Sequence, residues 1–149
     1  MESIYDQATL REFTKRINSL TPAAQRQWGK MDVAQMLAHA SIPLEVALGE
    51  RPGQKTLMGM LIGPFVKKIV TGEKPFKQSM PTNPDFVITD ARNFEVEKQR
   101  LKNVLTRFSE AGAATLEGRA HPFFGRLTAQ EWSNSVVKHV DHHLRQFGA

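Results

Sequence analysis

The sequence predicts an all-α fold, a four-helix bundle of up-down-down-up topology in which residues 1–149 form one domain. Four segments carry apolar residues at helical spacing, and residues that favour helix ends flank them. The second and third segments are separated by a long crossover, Gly49 to Asp90, which contains five of the eight prolines. Its apolar run Leu57 to Val70 predicts a short helix over one end of the bundle. A crossover of this length lets the second and third helices run parallel.

The first two helices follow from periodicity and end signals. The first spans about Asp6 to Leu20 and ends before Pro22, which favours opening the next turn. The second begins after Asp32, where Gln35 occupies the capping-box position three residues on. Gly49 is a suitable residue to end it because glycine adopts the left-handed conformation of a C-terminal cap.

The last two helices are delimited in the same way. The third spans about Asp90 to Ala111, with Gly112 predicted to end it. The fourth begins after Thr128, which forms a capping box with Glu131, and ends near Gly148.

Three histidines occupy core-facing positions in the second and fourth predicted helices. His139 and His143 are four residues apart, which places both on one helix face. His39 lies about 10 Å along the second helix, at a height that matches theirs if the two helices are antiparallel. Any one of these rings alone is more often satisfied by a core hydrogen bond. Three neutral imidazoles that converge in a bundle core are natural ligands for a divalent metal.

Four further side chains lie near these histidines in the sequence or border the last helix: Gln35, His121, His142 and Gln146. The two glutamines are within one turn of a ligand histidine, and they either orient it or lie at the surface. His142 points about 60° away from His139 and is predicted to be peripheral. His121 either anchors the loop before the last helix or lines the mouth of the site.

The chain resembles the DinB/YfiT-like superfamily over nearly its whole length, most specifically at Trp28, at 35–39 and at 139–147. The segment His121-Pro122-Phe123-Phe124-Gly125 resembles an uncharacterised branch of that superfamily. The resemblance implies a DinB-like four-helix bundle that is often dimeric. It also implies a divalent metal, most often zinc or nickel, bound by the three histidines named above.

The predicted function follows from an open metal position. Three protein ligands leave room for water or substrate, which permits Lewis-acid chemistry. Relatives in the superfamily include transferases and isomerases that use low-molecular-weight thiols, so the resemblance implies metal-dependent thiol transfer or hydrolysis on a small molecule. A peptidase is disfavoured because Val140 stands where the His-Glu-x-x-His pattern has its general base. The alternative is a non-catalytic, stress-related binding module, dimeric or not, whose histidines are structural.

Composition narrows the possible locations and binding partners of the protein. Cysteine is absent, and no basic leader or apolar signal core is evident, so a cytoplasmic location is expected. No membrane partner is predicted, because the longest apolar run, Leu57 to Val66, is too short and too interrupted to cross a bilayer. The net charge is +5, but scattered lysines without a phosphate loop or an aromatic ladder argue against a nucleic-acid function.

Overall fold

The structure, a computed structural model, describes residues 2–53 and 57–149, which form five α-helices, a short 3-10 helix and one small hairpin. The helices are α1 (Gln7–Ser19), α2 (Val33–Leu48), α3 (Leu57–Thr71), α4 (Phe94–Leu116) and α5 (Ala129–Gln146), with the 3-10 helix at Pro84–Phe86. The hairpin pairs β1 (Ala120–His121) with β2 (Gly125–Arg126) in antiparallel register. The prediction of a predominantly helical fold is confirmed.

Side-chain caps explain where α2 and α5 begin. The Asp32 carboxylate accepts from the Gln35 N–H at 2.8 Å, and the Gln35 side chain accepts from the Asp32 N–H at 3.0 Å. Thr128 and Glu131 make the same reciprocal pair at 3.1 and 2.9 Å. Gly49 ends α2 with a φ of 76°, as expected. These caps satisfy N–H groups that the first turn of a helix leaves without a partner.

The bounds of α4 differ from the predicted ones. The helix begins at Phe94 after an Asn93 cap and continues to Leu116. Gly112, which was predicted to end the helix, interrupts it as a kink with the non-helical angles φ 77° and ψ 164°. Because glycine has no Cβ, it adopts this conformation readily, and a second helical stretch follows the kink.

Ion pairs show that α2 and α4 run parallel. Glu45 in α2 accepts from Arg100 at 2.6 Å, and Glu50, just after the end of α2, accepts from Arg107 further along α4 at 2.7 Å. The crossover between the two helices therefore returns the chain to the end at which α2 began. Parallel neighbours joined by a long connection agree with the predicted direction of these two helices.

The first and last helices also run parallel to each other. The Ile4 N–H donates to the Ser133 hydroxyl at 3.0 Å, and Arg16 pairs with Asp141 at 2.9 Å. The core is formed mainly by α1, α2, α4 and α5. Its largest fully buried side chains are Ile4, Ile17, Met36, Leu37, Ile42, Leu44, Leu101, Leu105, Phe108, Leu116, Leu127 and Leu144.

The length of α3 departs from the prediction. It is a 15-residue helix, longer than the short one predicted, and its last turns contact the first half of α5. Gly63 brings the α3 backbone against the carbonyl oxygen of Phe123, a contact that a Cβ would prevent. The large apolar side chains of α3 are exposed instead: Leu57, Met60, Leu61, Ile62, Phe65 and Ile69. With this fifth helix present, the four-helix bundle stays a prediction.

Within 2–53 and 57–149, each helix falls short of the length and apolar content that crossing a bilayer requires.

His121 anchors the hairpin, one of the two roles predicted for it. Its ring stacks on Phe124 with centroids 4.2 Å apart and contacts Trp132 at 5.4 Å. The Phe123 N–H donates to its Nδ1 at 3.1 Å, so the ring proton of the neutral form is on Nε2. Burial lowers the pKa of His121 to about 4.

We expect His121 to make the free energy of unfolding depend on pH. Because the pKa of His121 is about 4 in the folded protein and 6.5 for an unperturbed histidine, the unfolded chain binds the proton more tightly. The contribution of His121 to the free energy of unfolding is fully present above pH 6.5. It decreases as the pH drops towards 4, by up to about 3 kcal/mol. Urea unfolding at pH 7.5 and pH 4.5, with a chelator present, measures this loss.

His121→Asn is the matched control. Its side-chain oxygen retains an acceptor for the Phe123 N–H and does not titrate. The variant should lose less stability on acidification than the wild type does. Equal losses in the two proteins would contradict a neutral, buried His121.

Candidate metal centre

The three histidines predicted as ligands lie together in the structure. His39 from α2 meets His139 and His143 from α5, and one ring nitrogen from each lies within 4.8 Å of the others. The Nε2 atoms of His39 and His139 are 3.1 Å apart. Two nitrogens bound to one tetrahedral zinc ion would be separated by about 3.3 Å, so this pair already has nearly the spacing of ligands. The three rings are close enough to bind one metal ion.

The local sequence explains why the rings converge. Four-residue spacing stacks His139 and His143 on one face of α5, where their ring centroids are 4.7 Å apart. A hydrogen bond shows that α5 and α2 are antiparallel. The Gln27 N–H, ahead of the start of α2, donates to the carbonyl of Gln146 at the end of α5. His39, near the middle of α2, consequently meets His139 and His143 in the second half of α5.

Burial keeps the three imidazoles neutral. His39 and His143 are only 2% and 7% exposed, and His139 is partly buried. Burial lowers the pKa of His39, and it lowers the pKa of His143 to about 3 with a further contribution from the nearby His39. The pKa of His139 is well below its ordinary value, first through burial and then through its histidine neighbours. A neutral imidazole is the form that offers a lone pair to a metal.

A backbone carbonyl determines the tautomer of His39. Its Nδ1 lies 2.7 Å from the carbonyl oxygen of Phe86, in the 3-10 helix. A carbonyl oxygen can only accept, so the Nδ1–H of His39 donates and Nε2 carries the lone pair. That lone pair points towards the Nε2 atom of His139, at the centre of the cluster.

A glutamine does the same for His143. Its Nδ1 lies 2.8 Å from Oε1 of Gln146, while Nε2 of Gln146 donates to the Trp28 carbonyl at 2.7 Å. Since the Trp28 carbonyl accepts only, the amide of Gln146 presents its oxygen to His143. The Nδ1 atom of His143 is therefore protonated, and its Nε2 is the nitrogen with a free lone pair.

The state of His139 depends on what lies between the two Nε2 atoms. Two lone pairs 3.1 Å apart repel, so without a cation the Nε2–H of His139 donates to His39. A bound metal ion would take a lone pair from each of these atoms, and His139 would then hold its proton on Nδ1. Neutral imidazole nitrogens are a donor set that a metal ion can bind.

The other predicted site residues divide into two groups. Gln146 contacts a ligand histidine, and the ring of His142 packs beside His143 at 5.2 Å, between Trp28 and Phe76. Gln35 caps α2 and donates to the carbonyl of Asp90, so the surface interpretation describes it better than the orienting one. Among the described contacts, none joins His121 to the three histidines.

Sequence reasoning missed the carbonyls of Trp28 and Phe86 as partners of the site. Both are backbone groups in connecting segments, and every residue type offers the same carbonyl. No residue pattern can mark such a group, although the resemblance did single out Trp28 as a residue.

Comparison with known proteins gives a family but no activity. No curated protein and no solved structure matches the chain. One family matches residues 4–149, a range that includes all three histidines, the Trp28 turn and the hairpin. Its description is that of a protein of unknown function, and on this match the chain belongs to the DUF1569 family.

Proposed function

We propose that this protein binds one divalent metal ion through His39, His139 and His143 and presents it to a small-molecule substrate. The observation that carries the proposal is the convergence of three neutral imidazoles on one point, with ring nitrogens within 4.8 Å. Hydrogen bonds hold protons on Nδ1 of His39 and His143, so both Nε2 atoms are free to bind an ion. Zinc and nickel are the metals that we propose, since imidazole suits both.

Three protein ligands support an open coordination position and hence catalysis. A bound divalent ion would supply Lewis-acid chemistry, lowering the pKa of a water or thiol held at that position. The Phe86 carbonyl and Gln146 hold two of the ligand rings in orientation. Asp141, the nearest acid on α5 in sequence, pairs with Arg16 and Arg145. Both carboxylate oxygens of Asp141 therefore face guanidinium groups, which supports transfer or hydrolysis of a small molecule over peptidase chemistry.

The resemblance to the DinB/YfiT-like superfamily supports the same proposal. We propose that this DUF1569 chain is a DinB-like bundle and that its reaction is metal-dependent thiol transfer or hydrolysis. A low-molecular-weight thiol is accordingly the first substrate class to test.

A second candidate function rests on the contact between two histidines. The distance of 3.1 Å between Nε2 of His39 and Nε2 of His139 is also that of an ordinary hydrogen bond. In a non-catalytic binding module, this bond and those of Phe86 and Gln146 would satisfy the buried rings without a metal. Metal content separates the two candidates.

The metal proposal predicts about one zinc or nickel ion per chain after incubation with the metal and removal of excess. Alanine at 39, 139 or 143 should abolish or strongly reduce that content, because each substitution removes one of three ligands. Elemental analysis of the purified proteins gives the measurement.

His142→Ala is the matched control, since it removes a neighbouring histidine that lies outside the convergent set. It should retain the wild-type metal content. A metal-free wild type after incubation, or equal content in the wild type and all three ligand variants, would leave the non-catalytic module as the better account.

The homodimer implied by the resemblance is also proposed, with α3 as its interface. We call the exposed apolar residues of this helix the α3 face: Leu57, Met60, Leu61, Ile62, Phe65 and Ile69. Phe65 is 79% and Leu57 82% exposed. Large exposed apolar patches of this kind mark protein–protein interaction sites. A second copy presenting the same face would cover this surface.

The dimer proposal predicts that Phe65→Glu yields a monomer, because a carboxylate at the centre of the α3 face would be buried without a partner. Sedimentation velocity of the wild type and variant at about 50 µM measures the change. Val96→Glu is the control, as Val96 is 62% exposed on α4, outside the face. A wild type that sediments as a monomer would overturn the proposal.

A further inference from the structure

We infer that the turn before α2 determines which nitrogen of His143 faces the metal, with Gln146 as the positioning residue and Gly29 as the residue that makes room for it. The inference rests on the proposed metal-binding function. Its geometry can nevertheless be tested in the metal-free protein, because it concerns the proton on His143.

Gln146 connects the turn to the ligand through three hydrogen bonds. Its Nε2 donates to the carbonyl of Trp28 at 2.7 Å, and its Oε1 accepts from Nδ1 of His143 at 2.8 Å. Its own backbone carbonyl accepts from the Gln27 N–H at 2.8 Å. Gln146 is 3% exposed, so water does not replace these partners. Rotating the amide would leave buried polar groups without hydrogen-bond partners, which is strongly unfavourable.

The orientation of the amide determines the tautomer of the ligand. A neutral imidazole can carry its proton on either nitrogen, and only the other nitrogen can bind a metal. Because Gln146 presents an acceptor to Nδ1, the proton of His143 stays there. The lone pair on Nε2 is then directed towards His39 and His139. The Trp28 carbonyl thus determines, through the amide of Gln146, which nitrogen of His143 is free to bind a metal.

Gly29 permits this arrangement for two reasons. Its φ is +83°, in the left-handed region that residues with a Cβ rarely adopt. In addition, a Cβ at this position would lie 2.5 Å from Nε2 of Gln146. Any side chain here would push the amide away from the Trp28 carbonyl. The glycine is therefore required by the close approach of Gln146 as well as by the turn.

The chain offers a matched control for the effect of backbone strain. Gly112, in the kink of α4, has a φ of +77°, and a Cβ built there meets no atom within 4 Å. Alanine at 112 should therefore impose backbone strain of its own, since ψ is 164° at this positive φ, without moving Gln146. A difference between Gly29→Ala and Gly112→Ala isolates the contact with Gln146 from general destabilisation.

The experiment compares the wild type with Gly29→Ala, Gly112→Ala, Gln146→Leu and Gln146→Glu. Zinc affinity is measured by competition with a chelating dye, and ¹⁵N shifts report the His143 tautomer without metal. We expect Gly29→Ala and Gln146→Leu to bind zinc about 10- to 100-fold more weakly, the usual cost of losing a hydrogen-bond partner of a ligand. Both should lose the Nδ1–H pattern of His143.

The remaining variants should behave differently. Gly112→Ala should keep the wild-type affinity and tautomer. Gln146→Glu still offers His143 an acceptor, so it should retain the Nδ1–H pattern. If Gly29→Ala does not fold, Gln146→Leu carries the comparison. Wild-type affinity and tautomer in Gln146→Leu would overturn the inference.

Failure of the proposed function has a different signature. A wild type that binds no zinc, but whose His143 shows the Nδ1–H pattern that Gln146→Leu abolishes, would reject metal binding and keep the positioning role of Gln146. If the wild type binds zinc but His143 carries its proton on Nε2, metal binding stands and the positioning role of Gln146 is rejected.

Discussion

The requirement that buried imidazoles have hydrogen-bond partners governs the arrangement of this protein. A buried polar group left without a partner costs about 1 to 3 kcal/mol, a large fraction of the stability of a small domain. His39 and His143 lie in the core and obtain partners from the Phe86 carbonyl and from Gln146. Two connecting segments, the 3-10 helix of the crossover and the turn before α2 that contains Trp28, therefore both lie against the histidine cluster.

This requirement connects the long crossover to the site. The crossover allows α2 and α4 to run parallel, and it also delivers the carbonyl of Phe86 to His39. Its other part, α3, packs against the hairpin through the close contact of Gly63 with Phe123, and it leaves large apolar side chains exposed. The same connection therefore contributes to the proposed metal centre and to the proposed surface for a second copy.

The candidate site was predictable to the extent that it consists of side chains on regular helices. Spacing placed His139 and His143 on one face, and matching heights placed His39 opposite them. The roles of Gln35 and Gln146 could not be separated in this way, since both are amides within one turn of a ligand histidine. Gln35 takes part in a cap, whereas Gln146 meets His143 because the Trp28 carbonyl lies beside it.

The sequence by itself determined the helical character of the chain, the caps at Asp32 and Thr128, and the shared face of the α5 histidines. These properties depend on residues within a few positions of one another, where helical geometry is regular. Only the tertiary structure decided that α4 continues beyond Gly112, that α3 contacts the first half of α5, and which carbonyls are the partners of His39 and Gln146. Those outcomes depend on contacts between residues distant in sequence, and backbone carbonyls and glycine approaches leave no pattern of side chains to read.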